Sequence, residues 1–363
     1  MQKKTVLFLV NHDVVIYNFR LELVERLIAD GHEVHISSPY GERIDDLIKL
    51  GAIYHEIKIA RHGTNPITDG VLILNYIKLL KQVKPNIVFS YTIKPNIYGG
   101  IACRMMNVPQ VANVTGLGTA VENPGLTQKI TLALYRFAFK KIQRIFFQNT
   151  ENKQVFIDHN LFTDKHGLLP GSGVNLERFA PLPYPDETDG IHFVFISRIM
   201  REKGIEQYLD AAAHFKGSHL HFHICGFCES EYQGKLEEYA KNGIVIYHGM
   251  VRNVREILAK THCTIHPSFY PEGISNVLLE SCACARPIIT TDRSGCREVV
   301  DDGVNGFVVK QRDSEDLIQK SEKFIALTHE QRMLMGLAGR TKVEREFDRQ
   351  VVVDAYLREM EKI

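Results

Sequence analysis

Long hydrophobic runs are absent from this sequence of 363 residues. No apolar stretch approaches the roughly 18–20 residues that a membrane-spanning helix requires. The first apolar run, residues 5–10, is too short for the core of a signal peptide and ends in the polar triplet Asn11-His12-Asp13, so it predicts a buried strand. Because no export signal precedes it, we expect the protein to stay in the cytoplasm.

Motifs for metal binding and nucleophilic catalysis are scarce as well. The seven cysteines are scattered and odd in number, and without a secretory signal we expect reduced thiols. Cys225 and Cys228 form one CxxC, but no second CxxC and no HxxxH follows it at the spacing of a zinc site. We expect two buried or half-buried thiols there, and any role beyond packing stays open. Neither a Walker P-loop nor a Ser/His/Asp nucleophile elbow is present.

The composition is that of a soluble globular protein, with 44% hydrophobic and 24% charged residues. The length suggests about two domains. The net charge of +1 is unevenly divided, because residues 1–170 contain 20 Lys and Arg against 14 Asp and Glu, and residues 171–363 contain 24 against 29. The basic first half favours an anionic partner or a membrane face, unless it is an ordinary imbalance of the surface. No nucleic-acid partner is expected.

Apolar runs alternate with stretches of helical period along the whole chain. Strand-like runs occupy residues 6–10, 34–37, 87–90, 110–114 and 145–148, and helix-like stretches occupy residues 18–30, 43–50, 67–82 and 126–141. Such alternation predicts parallel sheets with crossover helices. The pattern restarts at residue 191, after a Pro-rich polar segment. We predict an α/β fold of two Rossmann-like domains, residues 1–175 and 176–348, with ligands bound in the cleft between them.

Two glutamates, Glu272 and Glu280, stand where a loop marked by Pro and Gly runs into an apolar, helix-like segment. A helix start offers unpaired backbone N–H groups and the positive end of the helix dipole, which suit a phosphate. The carboxylate of Glu280, inside the helix, could accept hydrogen bonds from ligand hydroxyls, and Glu272 on the loop could reach a second polar group. A ligand with phosphate between two hydroxyl-rich ends is a nucleotide sugar. The alternative is a solvated loop glutamate and an ordinary helix glutamate.

Two cations precede these glutamates on another strand-to-helix loop. Residues 193–196 form a short apolar run that ends at Ser197, and a helix-like stretch begins at Ile205. Arg198 and Lys203 lie between them. Arginine offers a fork of donors and lysine a mobile point charge, and both suit a diphosphate leaving group. The alternative is a pair of solvated surface cations.

In order and spacing, these segments resemble the family 4 glycosyltransferases, which are retaining enzymes of the GT-B fold. The likeness covers most of residues 190–310. It is carried by Ser197-Arg198 with Lys203-Gly204, His248-Gly249 with Val251, residues 272–280, Gly295, Glu298, Gly303 and Asn305-Gly306-Phe307. The resemblance implies two Rossmann-like domains that face each other across a cleft. It also implies that a last helix, within residues 349–363, packs back on the first domain.

The resemblance implies a role for each matching residue. Arg198 and Lys203 would hold the donor diphosphate and stabilise its departure, Glu280 would bind the ribose hydroxyls, and Glu272 would face the donor sugar. Further donor contacts would come from Gly273, Ile274, Ser275 and Asn276, and from Met250 and Val251 at the base. No Asp-x-Asp pair is present, so the two cations would replace the metal that GT-A transferases hold against the diphosphate. Neither a metal nor another cofactor is expected.

The first domain departs from the common family pattern. Many members carry a Gly pair after the first strand, whereas residues 11–20 contain no glycine. The domain looks more like a subgroup that builds bacterial surface polysaccharides and glycans on polyprenyl-diphosphate carriers, on the basis of residues 11–20, 61–66, 90–99 and 113–118. Gly116 and Gly118 follow a strand and permit close backbone approach to a ligand, here the donor. The alternative is an ordinary tight turn.

Three cations of the first half, Arg20, Arg61 and Lys94, follow or end strand-like pieces. They could converge at the mouth of the cleft and grip an acceptor diphosphate. The alternative is that each is an ordinary solvated side chain. A catalytic histidine known from relatives has no secure counterpart in the sequence, so no general base is predicted.

A helix-like segment, residues 126–144, predicts peripheral contact with the membrane. Lys129, Arg136, Lys140 and Arg144 follow helical spacing and would form a basic stripe beside apolar residues. Such a helix can lie in the plane of an anionic lipid surface. The alternative is that all of its apolar residues pack on the sheet of the first domain.

These observations and the resemblance together predict a retaining glycosyltransferase associated with the cytoplasmic face of the membrane. It would move a hexose or N-acetylhexosamine from a UDP-sugar to a lipid-linked glycan in surface polysaccharide or glycoconjugate synthesis, and the resemblance to the subgroup alone implies UDP. The alternatives are an epimerase or phosphorylase on the same fold and a non-catalytic nucleotide-sugar-binding subunit. The charged residues argue against the epimerase, and no pyridoxal-phosphate lysine motif supports the phosphorylase. The sugar, the linkage, the acceptor glycan and the oligomeric state stay open.

Overall fold

Short apolar runs rich in Val, Ile and Phe form two all-parallel sheets in the computed structural model, which describes residues 2–59, 66–118, 121, 124–271 and 273–363. Each sheet belongs to one of two units. The first unit extends to residue 172 and includes residues 271–273 and 350–363, and the second contains residues 173–270 and 274–349. The α/β class predicted from the alternation of apolar runs and helical stretches is confirmed in both.

The first unit is built on seven strands in the order β3-β2-β1-β4-β5-β6-β7. The strands are β1 Thr5–Leu9, β2 Glu33–Ser38, β3 Ile53–Glu56, β4 Ile87–Tyr91, β5 Gln110–Val114, β6 Arg144–Phe147 and β7 His166–Leu168. The helices are α1 Asp13–Phe19, α2 Leu21–Ala29, α3 Ile44–Lys49, α4 Pro66–Val83, α5 Gly100–Met106, α6 Leu126–Ala138, α7 Thr150–Asp158 and α14 Arg349–Met360. Leu7 and Leu9 face the core with α4, α5 and α6, and Val6 and Phe8 face the core with α2 and α14, as the two-residue period of a strand requires.

The second unit is built on six strands in the order β10-β9-β8-β11-β12-β13. The strands are β8 Ile191–Ile196, β9 Leu220–Cys225, β10 Ile246–Tyr247, β11 Cys263–His266, β12 Ile288–Thr291 and β13 Gly306–Val309. The helices are α8 Ile205–His214, α9 Ser230–Lys241, α10 Val254–Leu258, α11 Asn276–Ala283, α12 Ser314–Ile325 and α13 His329–Glu346. Since every strand pair is parallel, the carboxyl ends of these strands meet at one edge, where ligands of such sheets bind.

The last helix, α14, packs within the first unit, as the resemblance implies. The Tyr356 ring lies 4.9 Å from the Phe89 ring and 5.3 Å from the Phe146 ring. The Tyr356 hydroxyl accepts a hydrogen bond of 2.9 Å from the amide of Asn113. No helix of the described part of the chain combines the length and the hydropathy needed to cross a bilayer.

Two predicted segments have different boundaries in the structure. The helix expected over residues 18–30 is divided at Arg20, which ends α1 and precedes α2, because its side chain turns inward against Tyr91 and Tyr356. The helix expected to continue toward residue 144 ends at Ala138, followed by a 3-10 turn. Arg144 therefore begins β6 and does not extend the basic stripe of α6.

Candidate active site

The turn after β8 positions the first two predicted site residues. Arg198 follows the strand, and Lys203 ends a 3-10 turn, Arg201–Lys203. Gly204 comes next with φ of +78°, and a Cβ atom there would lie 2.1 Å from the Pro267 carbonyl oxygen. Only glycine fits this conformation and this approach. Gly204 thus fixes the backbone position from which the Lys203 side chain extends.

Tyr270 brings the two cations together. Its loop is joined to the turn by a 2.9 Å hydrogen bond from the Phe269 N–H to the Glu202 carbonyl. The Lys203 Nζ lies 4.9 Å and the Arg198 Cζ 5.8 Å from the centroid of the Tyr270 ring. Arg198 also lies 3.9 Å from the Glu229 carboxylate, with half of its side chain exposed. Two positive charges on one ring form a site suited to an anion, and nothing in the spacing of the sequence indicated Tyr270.

Lys203 is a buried cation beside a second positive charge, that of Arg198. The residue is only 8% exposed. Burial lowers its pKa to about 8, and the neighbouring Arg198 charge acts in the same direction. A bound anion would favour the protonated form.

His266, at the end of β11, is a site residue that the sequence analysis missed. Its ring is buried, and neither ring nitrogen has a hydrogen-bond partner in the described part of the chain. Burial, aided by the Lys203 charge, lowers the pKa of His266 to about 3. A neutral imidazole therefore stands beside the lysine.

The start of α11 is held by the loop after β12. The Ser275 N–H donates to the Gly295 carbonyl at 2.8 Å. The Gly295 N–H in turn donates to the Glu298 carboxylate at 2.6 Å, so Gly295 and Glu298 of the motif act as local supports. The Asn276 Oδ1 is buried and has no hydrogen-bond partner among the described residues, so a ligand could donate to it.

Glu280 lies on α11 as a half-buried carboxylate. Burial raises its pKa to about 7, although the charges of Arg349 and Arg178 oppose this shift. Arg349 directs two of its donors to the Gly173 carbonyl, at 3.1 and 3.3 Å. Among the described residues none donates a hydrogen bond to the Glu280 side chain, so its oxygens can accept from ligand hydroxyls.

Three predicted donor-binding glycines lie in the first unit. A Cβ at Gly273 would lie 2.1 Å from the Gln148 Oε1 and 2.6 Å from the Thr115 carbonyl, so no side chain fits there. Gly118 has φ of +64°, and Gly116 lies on the same segment after β5. Glu272 lies outside the described residues, so its predicted role stays a prediction.

The predicted base pocket adjoins the CxxC. The Gly226 N–H donates to the Gly249 carbonyl at 2.8 Å, which sets Met250 beside that turn with 72% of its surface exposed. Val251 packs against the core of the second unit. Both cysteines are free thiols, Cys225 buried and Cys228 half-buried, as expected.

The cations predicted to bind the acceptor have partners inside the first unit. Arg20 is 2% exposed, with its guanidinium 5.1 Å from the Tyr91 ring and 5.7 Å from the Tyr356 ring. The Lys94 Nζ lies 3.0 Å from the Asp69 carboxylate, and both side chains are largely buried. Arg61 lies outside the described residues. Arg20 and Lys94 therefore lie against other side chains of the unit, and their predicted role in binding the acceptor stays a prediction.

The architecture of two Rossmann-like units is that of solved glycosyltransferases. A glycosyltransferase from Rickettsia africae superimposes with a TM-score of 0.83 at 20% identity, covering 99% of this chain and 98% of its own. The Anabaena protein HepE in complex with UDP gives a TM-score of 0.81 at 15% identity, covering 99% and 100%. These likenesses confirm the predicted GT-B fold.

Two family models match the sequence. The model described as "Glycosyl transferase 4-like" matches residues 5–149, and the one described as "Glycosyl transferases group 1" matches residues 190–326. Together they span most of the chain, which belongs to this family of glycosyltransferases. The predicted enzyme class is thereby confirmed, and the roles of single residues stay predictions.

Curated relatives carry named activities. The N,N'-diacetylbacillosaminyl-diphospho-undecaprenol alpha-1,3-N-acetylgalactosaminyltransferase of Campylobacter jejuni is 25% identical, over 97% of this chain and 96% of its own. The UDP-Gal:alpha-D-GlcNAc-diphosphoundecaprenol alpha-1,3-galactosyltransferase of Escherichia coli is 26% identical, over 78% of this chain and 76% of its own.

Proposed function

We propose that the protein is a retaining glycosyltransferase that moves a hexose or N-acetylhexosamine from a UDP-sugar to a lipid-linked glycan. The observation that carries the proposal is a pair of cations on one aromatic ring, together with a carboxylate that can accept hydrogen bonds, all in the second unit. Lys203 and Arg198 share the Tyr270 ring, and Glu280 has no donor among the described residues. Diphosphate and ribose are the two parts of a nucleotide sugar that these groups suit.

In this proposal the two cations stabilise the departing diphosphate. The bond between the anomeric carbon and the diphosphate oxygen breaks, and UDP leaves. The acceptor oxygen attacks from the face that UDP vacates, and its proton leaves with the diphosphate. Electrostatic stabilisation by Lys203 and Arg198 would be the largest contribution of the protein, because their positions are set before the reaction.

The choice of substrates follows the relatives. The names of the two relatives above specify acceptors built on diphospho-undecaprenol, and one names UDP-galactose as its donor. HepE was crystallised with UDP and with UDP-glucose. We infer the same classes for this chain, a UDP-sugar and a polyprenyl-diphosphate-linked glycan, without naming the sugar.

Contact with a membrane surface suits such an acceptor. On α6 the apolar residues Leu126, Ile130 and Phe137 are 74%, 50% and 48% exposed. They lie beside the exposed cations Lys129, Arg136 and Lys140. On α4, which packs on the same face of the sheet, Ile67, Val71 and Leu74 are also exposed. An apolar stripe with flanking cations binds anionic lipid.

The direct test is turnover of a panel of UDP-sugars with short polyprenyl-diphosphate saccharides, followed by mass spectrometry. The proposal requires a product one sugar heavier, with the anomeric configuration of the donor retained in the NMR spectrum. A binding subunit would bind UDP and yield no product. An inverted product would refute retention, and loss of activity in EDTA with recovery in Mg²⁺ would refute charge stabilisation by the two cations.

A further inference from the structure

We propose that Asp189, His192 and His221 form a binding site for a divalent transition-metal ion such as Zn²⁺, Ni²⁺, Co²⁺ or Cu²⁺. The site is independent of the proposed function. It lies at the start of β8 and β9 in the second unit, where His192 and His221 occupy neighbouring strands in register. Asp189 belongs to the segment just before β8.

The three side chains already lie close together. Each offers one ligand atom, and these atoms are all within 4.8 Å of one another. The His192 Nε2 lies 3.9 Å from the Asp189 Oδ2, and the two imidazole rings stack with centroids 4.5 Å apart. Ligands about 2 Å from a tetrahedral ion are roughly 3.3 Å apart. Asp189 can supply the remaining movement, because its side chain is 89% exposed.

The hydrogen bonds of His192 and His221 leave one ring nitrogen of each with a lone pair for a metal. The His221 Nε2 donates to the Asp189 carbonyl at 2.8 Å, which leaves its Nδ1 as an acceptor for a metal. The His192 Nδ1 lies 2.9 Å from the His223 Nε2, and the His223 Nδ1 lies 2.8 Å from the His248 Nε2. With a metal on the His192 Nε2, each of these Nδ1 atoms carries a proton and donates to the next ring. Such outer-shell bonds fix the orientation of a ligating histidine.

The donor set of the site indicates the class of metal. Two nitrogens and one carboxylate suit borderline transition metals, whereas Mg²⁺ and Ca²⁺ prefer all-oxygen sites.

The site is remote from the proposed donor site. His192 stands near the start of β8, whereas Arg198 follows the end of this six-residue strand, a separation of roughly 20 Å at about 3.3 Å per residue. A metal here would tie the segment before β8 to the sheet. It would not contact the diphosphate, so the prediction that the donor site needs no metal is unaffected.

The experiment is metal titration of untagged, chelator-treated protein, followed by calorimetry with Zn²⁺ and Ni²⁺. One ion per chain should bind with micromolar affinity, and Mg²⁺ in large excess should not compete. Asp189→Asn should weaken the affinity at least tenfold, and His192→Gln or His221→Gln should abolish it, with circular dichroism unchanged. Asp189→Asn changes an exposed side chain, so this test stands even where a histidine variant misfolds.

Two controls separate this site from other ligands of the chain. His214→Gln alters a histidine exposed on α8, and Cys228→Ser removes the half-buried thiol; both variants should bind the metal as the wild type does. The spectrum of the Co²⁺ form should lack the charge-transfer bands of thiolate ligation. Unchanged affinity in Asp189→Asn and His192→Gln, or loss of binding in Cys228→Ser, would overturn the proposal.

Discussion

The two units differ in what surrounds their buried charged side chains. In the first unit, Lys94 lies 3.0 Å from the Asp69 carboxylate, and Arg20 lies against Tyr91 and Tyr356. In the second unit, burial lowers the pKa of Lys203 to about 8 and raises that of Glu280 to about 7. The first pair has its partners within the fold, whereas burial shifts the pKa of each member of the second pair towards its neutral form.

This difference distinguishes buried charges that have a structural role from buried charges that bind a ligand. Removing one member of a buried ion pair costs several kcal/mol, because the other charge is left in the interior without its partner. A charged group whose pKa is shifted by burial towards the neutral form costs stability in the folded protein itself, and perturbed pKa values of this kind cluster at functional sites. We therefore assign ligand binding to Lys203 and Glu280 first, and to Lys94 and Arg20 last.

The largest expected effect is on turnover in Lys203→Ala. Removing one preorganised charge from a leaving group lowers kcat by about 100- to 1000-fold, while circular dichroism should show an intact fold. Steady-state kinetics with a UDP-sugar measures this, with exposed Lys216→Ala as the matched control. A loss below threefold would place Lys203 among the structural charges.

The second prediction concerns Lys94→Met, which removes the cation beside the buried Asp69 carboxylate and leaves it, among the described residues, only the hydrogen bond of 2.7 Å from the Tyr98 hydroxyl. The free energy of unfolding of the first unit should fall by about 3–5 kcal/mol, as measured by urea denaturation. The double variant Lys94→Met/Asp69→Leu should recover most of this loss. If the recovered protein has an unchanged KM for the acceptor, Lys94 has no acceptor role; a raised KM would support the role predicted from the sequence.

The third prediction is that one variant binds UDP more weakly and yet is more stable than the wild type. Glu280→Gln should weaken UDP binding about tenfold to a hundredfold, because a charged hydrogen bond contributes about 1.5–3 kcal/mol. It should also stabilise the second unit by on the order of 2 kcal/mol above pH 7, since the folded carboxyl binds a proton more tightly than the unfolded one. Calorimetry and urea denaturation measure the two effects. Unchanged UDP affinity would remove Glu280 from the ribose.

The fourth prediction is a pH optimum of UDP affinity between about 7 and 8. Below pH 7 Glu280 becomes protonated, and above pH 8 Lys203 loses its proton. A bound ligand reverses both shifts, so the affinity should fall by up to about tenfold per pH unit on either side. The pH profiles of Glu280→Gln and Lys203→Arg separate the decreases of affinity below pH 7 and above pH 8 from the titration of UDP itself. A wild-type profile identical to those of both variants would contradict the prediction.

The smallest expected effect is at the lipid surface. Each of Lys129→Gln, Arg136→Gln and Lys140→Gln should reduce binding to anionic vesicles about fivefold at low salt, since one such cation contributes about 1 kcal/mol. Activity should fall on long-chain acceptors and persist on a short soluble one. Lys241→Gln, an exposed cation of the second unit, is the control. Equal vesicle binding by all variants would exclude α6 from the docking surface.

Much of the second unit could be predicted from the sequence. The Lys-Gly pair after β8 is demanded by a close approach that excludes a Cβ atom at Gly204, and such a demand appears directly as a glycine. Tyr270 and His266 could not be predicted, because a tyrosine or histidine in a sequence does not reveal which side chains it contacts.

The first unit was harder to predict at the level of side chains. Lys94 and its partner Asp69 are 25 residues apart, and Arg20 meets Tyr356 from the last helix of the chain. The spacing of these residues carries no sign of the pairing. The sequence therefore suggested that all three cations could face one anion. The structure places Arg20 and Lys94 against internal partners.

The sequence by itself determined the two parallel sheets, the strand-to-helix turns and the membership of the glycosyltransferase family. Each depends on local patterns, such as the period of apolar residues and the backbone angles that require glycine. Only the tertiary structure decided which charges are compensated and which histidines assemble at the start of β8 and β9. Electrostatic compensation falls off with distance in space, so it depends on residues that the fold brings together from distant parts of the chain.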